Sequence, residues 1–214
     1  MSFDFTAFAE ALFHRSPPHM LEHLGLVLLP LGLAVSFSFP TGVLLTRPRW
    51  RSYAGRVLGL LNAGQTIPPL AVICIFLPIW GLGFRPAVIA LTIYALLPIA
   101  RNTIAGISNV PAEIKEAARG MGMTGRDVLL QVELPLALPV IMTGVKTSAV
   151  LTVGTATLAA LVGARGMGAV IFAGINFRRV ELILAGTLVI GLMAILLDRL
   201  LSLLEYLLTS RSFR

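Results

Sequence analysis

The sequence contains a single cysteine, Cys74, among its 214 residues. One cysteine excludes an internal disulfide framework and a metal site built from several thiolates. Charged residues are also scarce, at 13% of the chain, whereas 57% of the residues are hydrophobic. A soluble domain has charge on roughly a quarter to a third of its surface. This composition therefore excludes an ordinary water-exposed protein.

Motifs for nucleotide hydrolysis and for covalent catalysis are missing as well. A P-loop requires two glycines at fixed distances before its lysine, and the nearest match, around Lys146, has valine at both positions. No Ser/His/Asp or Cys/His constellation is present. His19 and His23 have the spacing of helical metal ligands, but no third ligand shares their face, which favours a solvated or interfacial pair near the outer surface. We therefore expect no enzyme activity, no metal site and no cofactor in this chain.

The sequence does contain a series of apolar runs, each close to the roughly 20 residues that cross a bilayer core. They predict spans at 23–46, 57–80, 86–107, 136–162 and 182–208. A further apolar piece ending at Phe177 is too short to cross and predicts a re-entrant or interfacial helix. Residues 2–11 include two acids and no base, so we expect no signal peptide. The prediction is one all-α integral membrane domain, residues 1–214, with about five transmembrane helices.

The basic residues predict the orientation of these spans. The net charge of +7 arises mainly at span ends, which is typical of membrane orientation rather than of nucleic-acid binding. One set of flanks carries Arg47, Arg49, Arg51, Arg56, Lys115, Arg119, Arg126, Arg211 and Arg214, and the other carries Arg15, Arg85, Arg165, Arg178 and Arg179. The positive-inside bias then predicts that the N-terminus is outside and the C-terminus is in the cytosol.

One long polar stretch separates the third and fourth predicted spans, in a loop that covers 109–134. Pro111 suits the first position of a helix, and Glu113 follows in the first turn, where the helix dipole favours an anion. Gly122 ends that helix, and Thr124 and Asp127 have the spacing of a capping box that opens a second helix. The sequence thus predicts two short helices outside the bilayer, before Pro135 marks the return into it.

The spacing within this stretch resembles the EAA loop of binding-protein-dependent ABC importer permeases of the type I fold. The matching positions are Glu116, Ala117, Ala118, Gly122, Val132, Leu134 and Pro135, with Val132 in place of the usual isoleucine. The resemblance implies that an ATPase subunit is coupled through Glu116, Ala117, Ala118, Arg119, Gly122, Leu134 and Pro135. The two alanines are expected to approach a groove of that partner closely, and Gly122 to permit the turn between the helices.

Polar residues within the predicted spans are candidates for a translocation pathway, because such residues usually face protein or water. The candidates are Asn62, Gln65, Thr66, Thr143, Lys146, Thr147 and Thr155. The first three precede two prolines, and interhelical hydrogen bonding is their alternative role. Lys146 either lines a gate or snorkels toward the cytosol. In the last span, we expect Asp198 to pair with Arg199 or with another helix.

A stripe of small residues recurs every four positions in the fourth predicted span. It consists of Gly144, Ser148, Thr152, Ala156 and Ala160. Such stripes let helices approach closely in lipid. Two interpretations remain open at this point: the stripe packs against a second permease beside the pathway, or it packs within the subunit.

Segments 65–68, 97–103 and 155–168 are similar to the osmoprotectant branch of these permeases, although Arg165 and Met167 depart from its usual glycine and leucine. The resemblance implies import of glycine betaine, choline or carnitine across the bacterial plasma (inner) membrane. Another small solute such as an amino acid is the alternative, and a secondary transporter or channel is a more remote one. The implied partners are ABC ATPase subunits carrying ATP and Mg²⁺, a second permease copy or paralogue, and a separate substrate-binding protein, with no nucleic acid.

Overall fold

The computed structural model describes residues 4–212, which are almost entirely helical and contain no strand within that range. The α-helices are α1 (Phe5–Glu10), α2 (Ser16–Leu45), α3 (Ala54–Thr66), α4 (Pro69–Trp80), α5 (Phe84–Ser108), α6 (Ala112–Gly120), α7 (Gly125–Asp127), α8 (Leu134–Thr155), α9 (Met167–Asn176) and α10 (Val180–Ser212). Short π-helical segments cover Ala11–Arg15 and Val128–Glu133, and 3₁₀ segments cover Arg51–Tyr53 and Ala156–Val162. Of the arginines used to predict the orientation, Arg214 lies outside the described residues.

Four continuous helical stretches are long and apolar enough to cross a membrane: Phe5–Leu45, Phe84–Ser108, Gly125–Val162 and Val180–Thr209. A fifth crossing results if α3 and α4 together form one broken span. The predicted class, an all-α membrane protein, is confirmed. The short apolar helix α9 stands between the last two long helices, where the sequence predicts a segment too short to cross.

The predicted second span, 57–80, differs from a straight rod, because its two helices meet at an angle of 91°. Ile67 and Pro68 connect them in extended conformation, with ψ of 133° and 138°. Proline disfavours the α conformation in the residue before it and has no N–H to donate. Two consecutive prolines therefore end α3 and start α4 on a new axis.

The first helical stretch begins well before the predicted position 23. Asp4 caps it, and its Oδ1 accepts hydrogen bonds from the backbone N–H groups of Thr6 and Ala7 at 2.9 and 3.1 Å. The Thr6 hydroxyl also donates to this carboxylate, and it is the main reason that the pKa of Asp4 lies below its usual value. The prolines at 17 and 18 follow closely on the π-helical segment Ala11–Arg15, and the chain stays helical through them.

Helix α5 lies at the centre of the bundle, in contact with α2, α8, α3 and α4. One core cluster joins α2, α5 and α8 through small and branched side chains: Leu31, Ala34, Ala95, Ile99, Val145 and Ala149. Lipid tails are as apolar as leucine, so helices in a bilayer associate mainly through close packing and hydrogen bonds. The α5–α8 contact supplies both.

The small-residue stripe of α8 packs within the chain, against α5. A Cβ atom on Gly144 would lie 2.6 Å from the Pro98 carbonyl oxygen, so the α5 backbone occupies that space. One turn on, the Ser148 hydroxyl donates to the Ala95 carbonyl at 2.8 Å. Thr152 is also buried. Of the two interpretations left open by the sequence, the structure therefore supports packing within the subunit.

His23 is a packing residue, and the prediction of a solvated or interfacial pair was wrong for it. Its side chain is fully buried, and Nε2 lies 3.1 Å from the Val153 carbonyl oxygen of α8. The apolar sequence around α2 made its depth hard to predict, since the distance to the partner helix is not encoded locally. His19 remains partly exposed and lies 3.5 Å from the Glu22 carboxylate.

The α5–α8 contact predicts a strong effect of Gly144→Ala. The added methyl group would overlap the Pro98 carbonyl and Asn102, and overpacking of this kind destabilises by about 1–3 kcal/mol. We expect a lower melting temperature of the purified chain in detergent. Gly154→Ala is the matched control on the same helix, because nothing lies within 4 Å of its Cβ position. Equal melting temperatures for the two variants would contradict the close approach.

Candidate functional site: the α6–α7 loop and the α8–α10 groove

Helix α6 begins directly after Pro111, whose ψ of 138° turns the chain into the helix. Glu113 lies in the first turn and Arg119 in the last. Both charges oppose the partial charges of the helix ends, which stabilises a short helix at a polar surface. The start lies one residue later than predicted, with Pro111 as the cap rather than the first helical residue.

Gly122 ends α6 in a Schellman motif. The Met123 N–H donates to the Ala118 carbonyl at 3.2 Å, and the Gly122 N–H donates to the Arg119 carbonyl at 2.9 Å. Gly122 has φ of +85°, in the left-handed region that glycine adopts without strain. The predicted turn at this position is therefore present, and its geometry explains why glycine is suited to it.

The second helix of the loop opens with the predicted capping box. The Asp127 N–H donates to the Thr124 hydroxyl, and the Asp127 carboxylate accepts from the Thr124 N–H. However, this helix is not separate from the membrane span. From Gly125 the chain stays helical to Val162, through the π-helical segment Val128–Glu133 and the proline-containing first turn of α8. The second half of the loop is thus one rod with α8.

The exposed surface of α6 includes Glu116, Ala117 and Arg119. Ala118 differs from the expectation, because it is only 2% exposed and is turned into the protein. Small size at this position lets α6 pack closely on the π-helical segment, which it contacts. Leu134 is half-buried and packs against the cluster of Ile107, Ala137 and Ile141. The predicted coupling residues therefore divide into an exposed set and a set that attaches the loop to the bundle.

An ion pair missed by the sequence analysis joins this loop to the end of α2. Arg47 Nη2 lies 2.5 Å from Glu133 Oε2, and the Glu133 side chain is only 6% exposed. The same guanidinium donates to the Thr46 hydroxyl at 2.8 Å. A carboxylate among apolar residues, as Glu133 is in the sequence, signals that a cation must be close. Only the fold shows that Arg47 is that cation.

Three of the predicted pathway residues meet in one groove. Thr143, Lys146 and Thr147 of α8 line a concavity of ≈ 390 Å³ together with Asp198 of α10. Lys146 Nζ donates to Glu205 Oε2 at 2.7 Å. The sequence predicted that Asp198 pairs with Arg199 or with another helix, and the structure places its side chain in the lining of the groove. Lys146 is thus joined to α10 by an ion pair.

The remaining pathway candidates lie outside that groove. The Gln65 amide donates to the Tyr94 carbonyl at 2.6 Å, which is an interhelical hydrogen bond from α3 to α5. Thr66 donates to its own helix at Ala63, and Asn62 is exposed. Thr155 also bonds to its own helix, at the Leu151 carbonyl. Gln65 thus takes the alternative role that the sequence left open.

Comparison with known proteins matches most of the chain. A family described as "Binding-protein-dependent transport system inner membrane component" covers residues 38–214. The glycine betaine/carnitine/choline transport system permease protein OpuCB of Bacillus subtilis is 41% identical over 184 residues, covering 86% of this chain and 84% of that protein. The carnitine transport permease protein OpuCB of Listeria monocytogenes is 42% identical over 193 residues, covering 90% and 88%.

Solved structures share the fold. The MetNI methionine ABC transporter in an inward-facing conformation superposes with a TM-score of 0.72 at 22% identity, covering 93% of this chain and 100% of that one. At that identity the likeness shows the architecture alone.

The buried ion pair predicts that Arg47→Met destabilises the chain by about 1–3 kcal/mol, because it leaves the Glu133 carboxylate without its cation. Thermal unfolding in detergent measures this. The double variant Arg47→Met/Glu133→Leu should recover most of the loss, since replacing both partners removes the stranded charge. Arg49→Met is the control, as this exposed arginine has no carboxylate partner among the described residues. If the loss of stability in the double variant equals the sum of the losses in Arg47→Met and Glu133→Leu, the two side chains are not energetically coupled.

Proposed function

Because the chain belongs to the family of binding-protein-dependent transport system inner membrane components, we propose that it is the permease subunit of an ATP-driven importer for quaternary-ammonium compatible solutes. The observation that carries the solute class is identity of 41–42% to permeases named for glycine betaine, carnitine and choline, over 86–90% of this chain. Import of another small solute, such as an amino acid, is the alternative that the uptake experiment below distinguishes.

In this proposal the chain supplies the path and its partners supply energy and selection. ABC ATPase subunits bind ATP and Mg²⁺, and a separate binding protein delivers the solute to a pair of permeases, made of two copies or of this chain and a paralogue. The basic flanks around Arg47 and Arg119 face the cytosol, in agreement with the positive-inside bias. The chain itself carries no cofactor and no catalytic residue.

The α6–α7 loop transmits the movement of the ATPase. Glu116, Ala117 and Arg119 on the exposed side of α6 contact the ATPase, with Ala117 allowing close approach and the charges setting orientation. Because the chain is continuously helical from Gly125 to Val162, a displacement of the loop moves α8 as a rigid body. The Arg47–Glu133 pair extends the movement to α2.

The α8–α10 groove forms part of the path of the solute. Charged groups inside a membrane face protein or water rather than lipid, so the face carrying Lys146, Asp198 and Glu205 borders a water-filled space or the partner permease. Glycine betaine and carnitine carry a cation and a carboxylate together. A groove with both signs of charge and the hydroxyls of Thr143 and Thr147 offers each end a transient partner.

Uptake by the reconstituted complex tests the solute class. We expect ATP-dependent accumulation of at least one of labelled glycine betaine, choline and carnitine in proteoliposomes, and no accumulation of methionine. Vesicles loaded with ADP in place of ATP are the control. Accumulation of methionine, with none of the three quaternary-ammonium compounds, would reject the proposed solute class while leaving the importer function intact.

Replacement of Gly122 tests the loop as the transmission. Gly122→Val places a β-branched residue at φ of +85°, with a strain of about 1–2 kcal/mol. Energies of that size change populations by about 5–30-fold. We therefore expect ATP hydrolysis to continue while solute uptake falls several-fold.

The matched control for this variant is Gly120→Val, two residues away within α6. Its Cβ position is also free of neighbours within 4 Å, and valine has a better helix propensity than glycine. Equal uptake for the two variants would mean that the geometry of the turn does not matter for coupling.

A further inference from the structure

A basic turn, residues 46–56, follows α2 and carries an unusual density of arginine. Arg47, Arg49, Arg51 and Arg56 lie within ten residues, and no acidic residue occurs in the turn. Arg47 is neutralised by Glu133, whereas the other three have no carboxylate within ion-pair distance among residues 4–209. The surface at this end of α2 is therefore strongly positive.

Two aromatic side chains lie between these arginines. Trp50 and Tyr53 are 44% and 46% exposed, and their rings are 6.0 Å apart. The Arg49 guanidinium lies 5.6 Å from the Trp50 ring, and that of Arg56 lies 5.9 Å from the Tyr53 ring. Tryptophan and tyrosine are enriched where a membrane protein crosses the headgroup level of the bilayer. The end of a membrane-crossing helix is where that level is expected.

A small polar cleft adjoins the basic turn. Its polar lining consists of Thr46, Arg47, Arg51, Ser108, Lys115 and Glu133, and its volume is ≈ 80 Å³. Three cations face one carboxylate, and that carboxylate is already bound by Arg47. Arg51 and Lys115 thus remain available, with the Ser108 hydroxyl beside them. This volume is sufficient for one phosphate group.

We propose that this cleft binds the phosphate of an anionic phospholipid headgroup, with Trp50 and Tyr53 in the interface beside it. Arg51 and Lys115 pair with the phosphate, and Arg49 and Arg56 add attraction to the anionic surface. Basic residues next to a membrane helix each contribute attraction of this kind. The inference concerns the bilayer, so it does not depend on which solute is imported.

A bound headgroup would connect two elements from distant parts of the sequence. Arg51 belongs to the turn after α2, and Lys115 belongs to α6, the first helix of the loop. The lipid would therefore bridge the same two regions that the Arg47–Glu133 pair joins from the protein side.

Fluorescence of Trp50 provides the test. The chain has two tryptophans, so Trp80→Phe leaves Trp50 as the only one. The full chain is placed in nanodiscs that contain phosphatidylcholine and a fixed fraction of either brominated phosphatidylglycerol or brominated phosphatidylcholine. We expect the anionic lipid to quench Trp50 with a relative affinity about fivefold or more above that of the zwitterionic lipid, and added salt to reduce this ratio.

Arg51→Gln/Lys115→Gln should bring the ratio to within about twofold of one. Arg85→Gln/Arg178→Gln is the matched control, since it removes two exposed arginines that flank other helix ends, and its ratio should equal that of the unmodified chain. If the glutamine pair at 51 and 115 fails to fold, the lipid preference and its salt dependence in the unmodified chain still decide the proposal.

Two results would overturn the inference. The first is a ratio of one in the unmodified chain. The second is a ratio that Arg51→Gln/Lys115→Gln leaves unchanged; loss of the co-purifying ATPase subunit from this variant would then assign the two residues to a protein contact.

Discussion

The bundle depends on how closely α5 can approach its neighbours, because the hydrophobic effect does not drive helices together within a bilayer. At Gly144 the α8 backbone meets the Pro98 carbonyl of α5 with no room for a side chain, and at Gly42 the α2 backbone meets Thr103 in the same way. Buried hydroxyls then find carbonyl acceptors across the contact, as Ser148 and Ser38 do. Close backbone contact and buried hydrogen bonds take the place of hydrophobic burial. The central position of α5 follows from these contacts.

Charged residues are few, and two of their ion pairs join helices from distant parts of the sequence. Arg47 and Glu133 join the end of α2 to the start of α8, and Lys146 and Glu205 join α8 to α10. Both pairs include the helical rod Gly125–Val162, which consists of the second half of the α6–α7 loop and α8 with its 3₁₀ extension. Helix α8 is therefore the element through which the polar loop, the groove and the rest of the bundle are connected.

The features that the sequence predicted correctly depend on interactions between residues a few positions apart. The capping box at Thr124 and the left-handed glycine at 122 are such cases, and hydropathy alone gives the membrane class. Burial of His23, the partner of Glu133 and the groove beside Lys146 depend on which helices lie side by side, and that arrangement leaves no local trace. The 91° bend between α3 and α4 was predictable only in part, because the two prolines predict a break but do not predict its angle.

The π-helical segment Val128–Glu133 has a consequence for evolution and design. The α6 surface proposed to face the ATPase packs on this segment, and the groove proposed to face the solute lies further along the same helical rod. Successive residues of an α-helix are rotated by about 100° around the helix axis. Insertion or removal of one residue here would therefore rotate one surface around the axis relative to the other by a quarter of a turn or more. The number of residues in this segment fixes the orientation of the ATPase-facing surface relative to the groove. This segment should therefore tolerate substitutions far better than insertions or deletions.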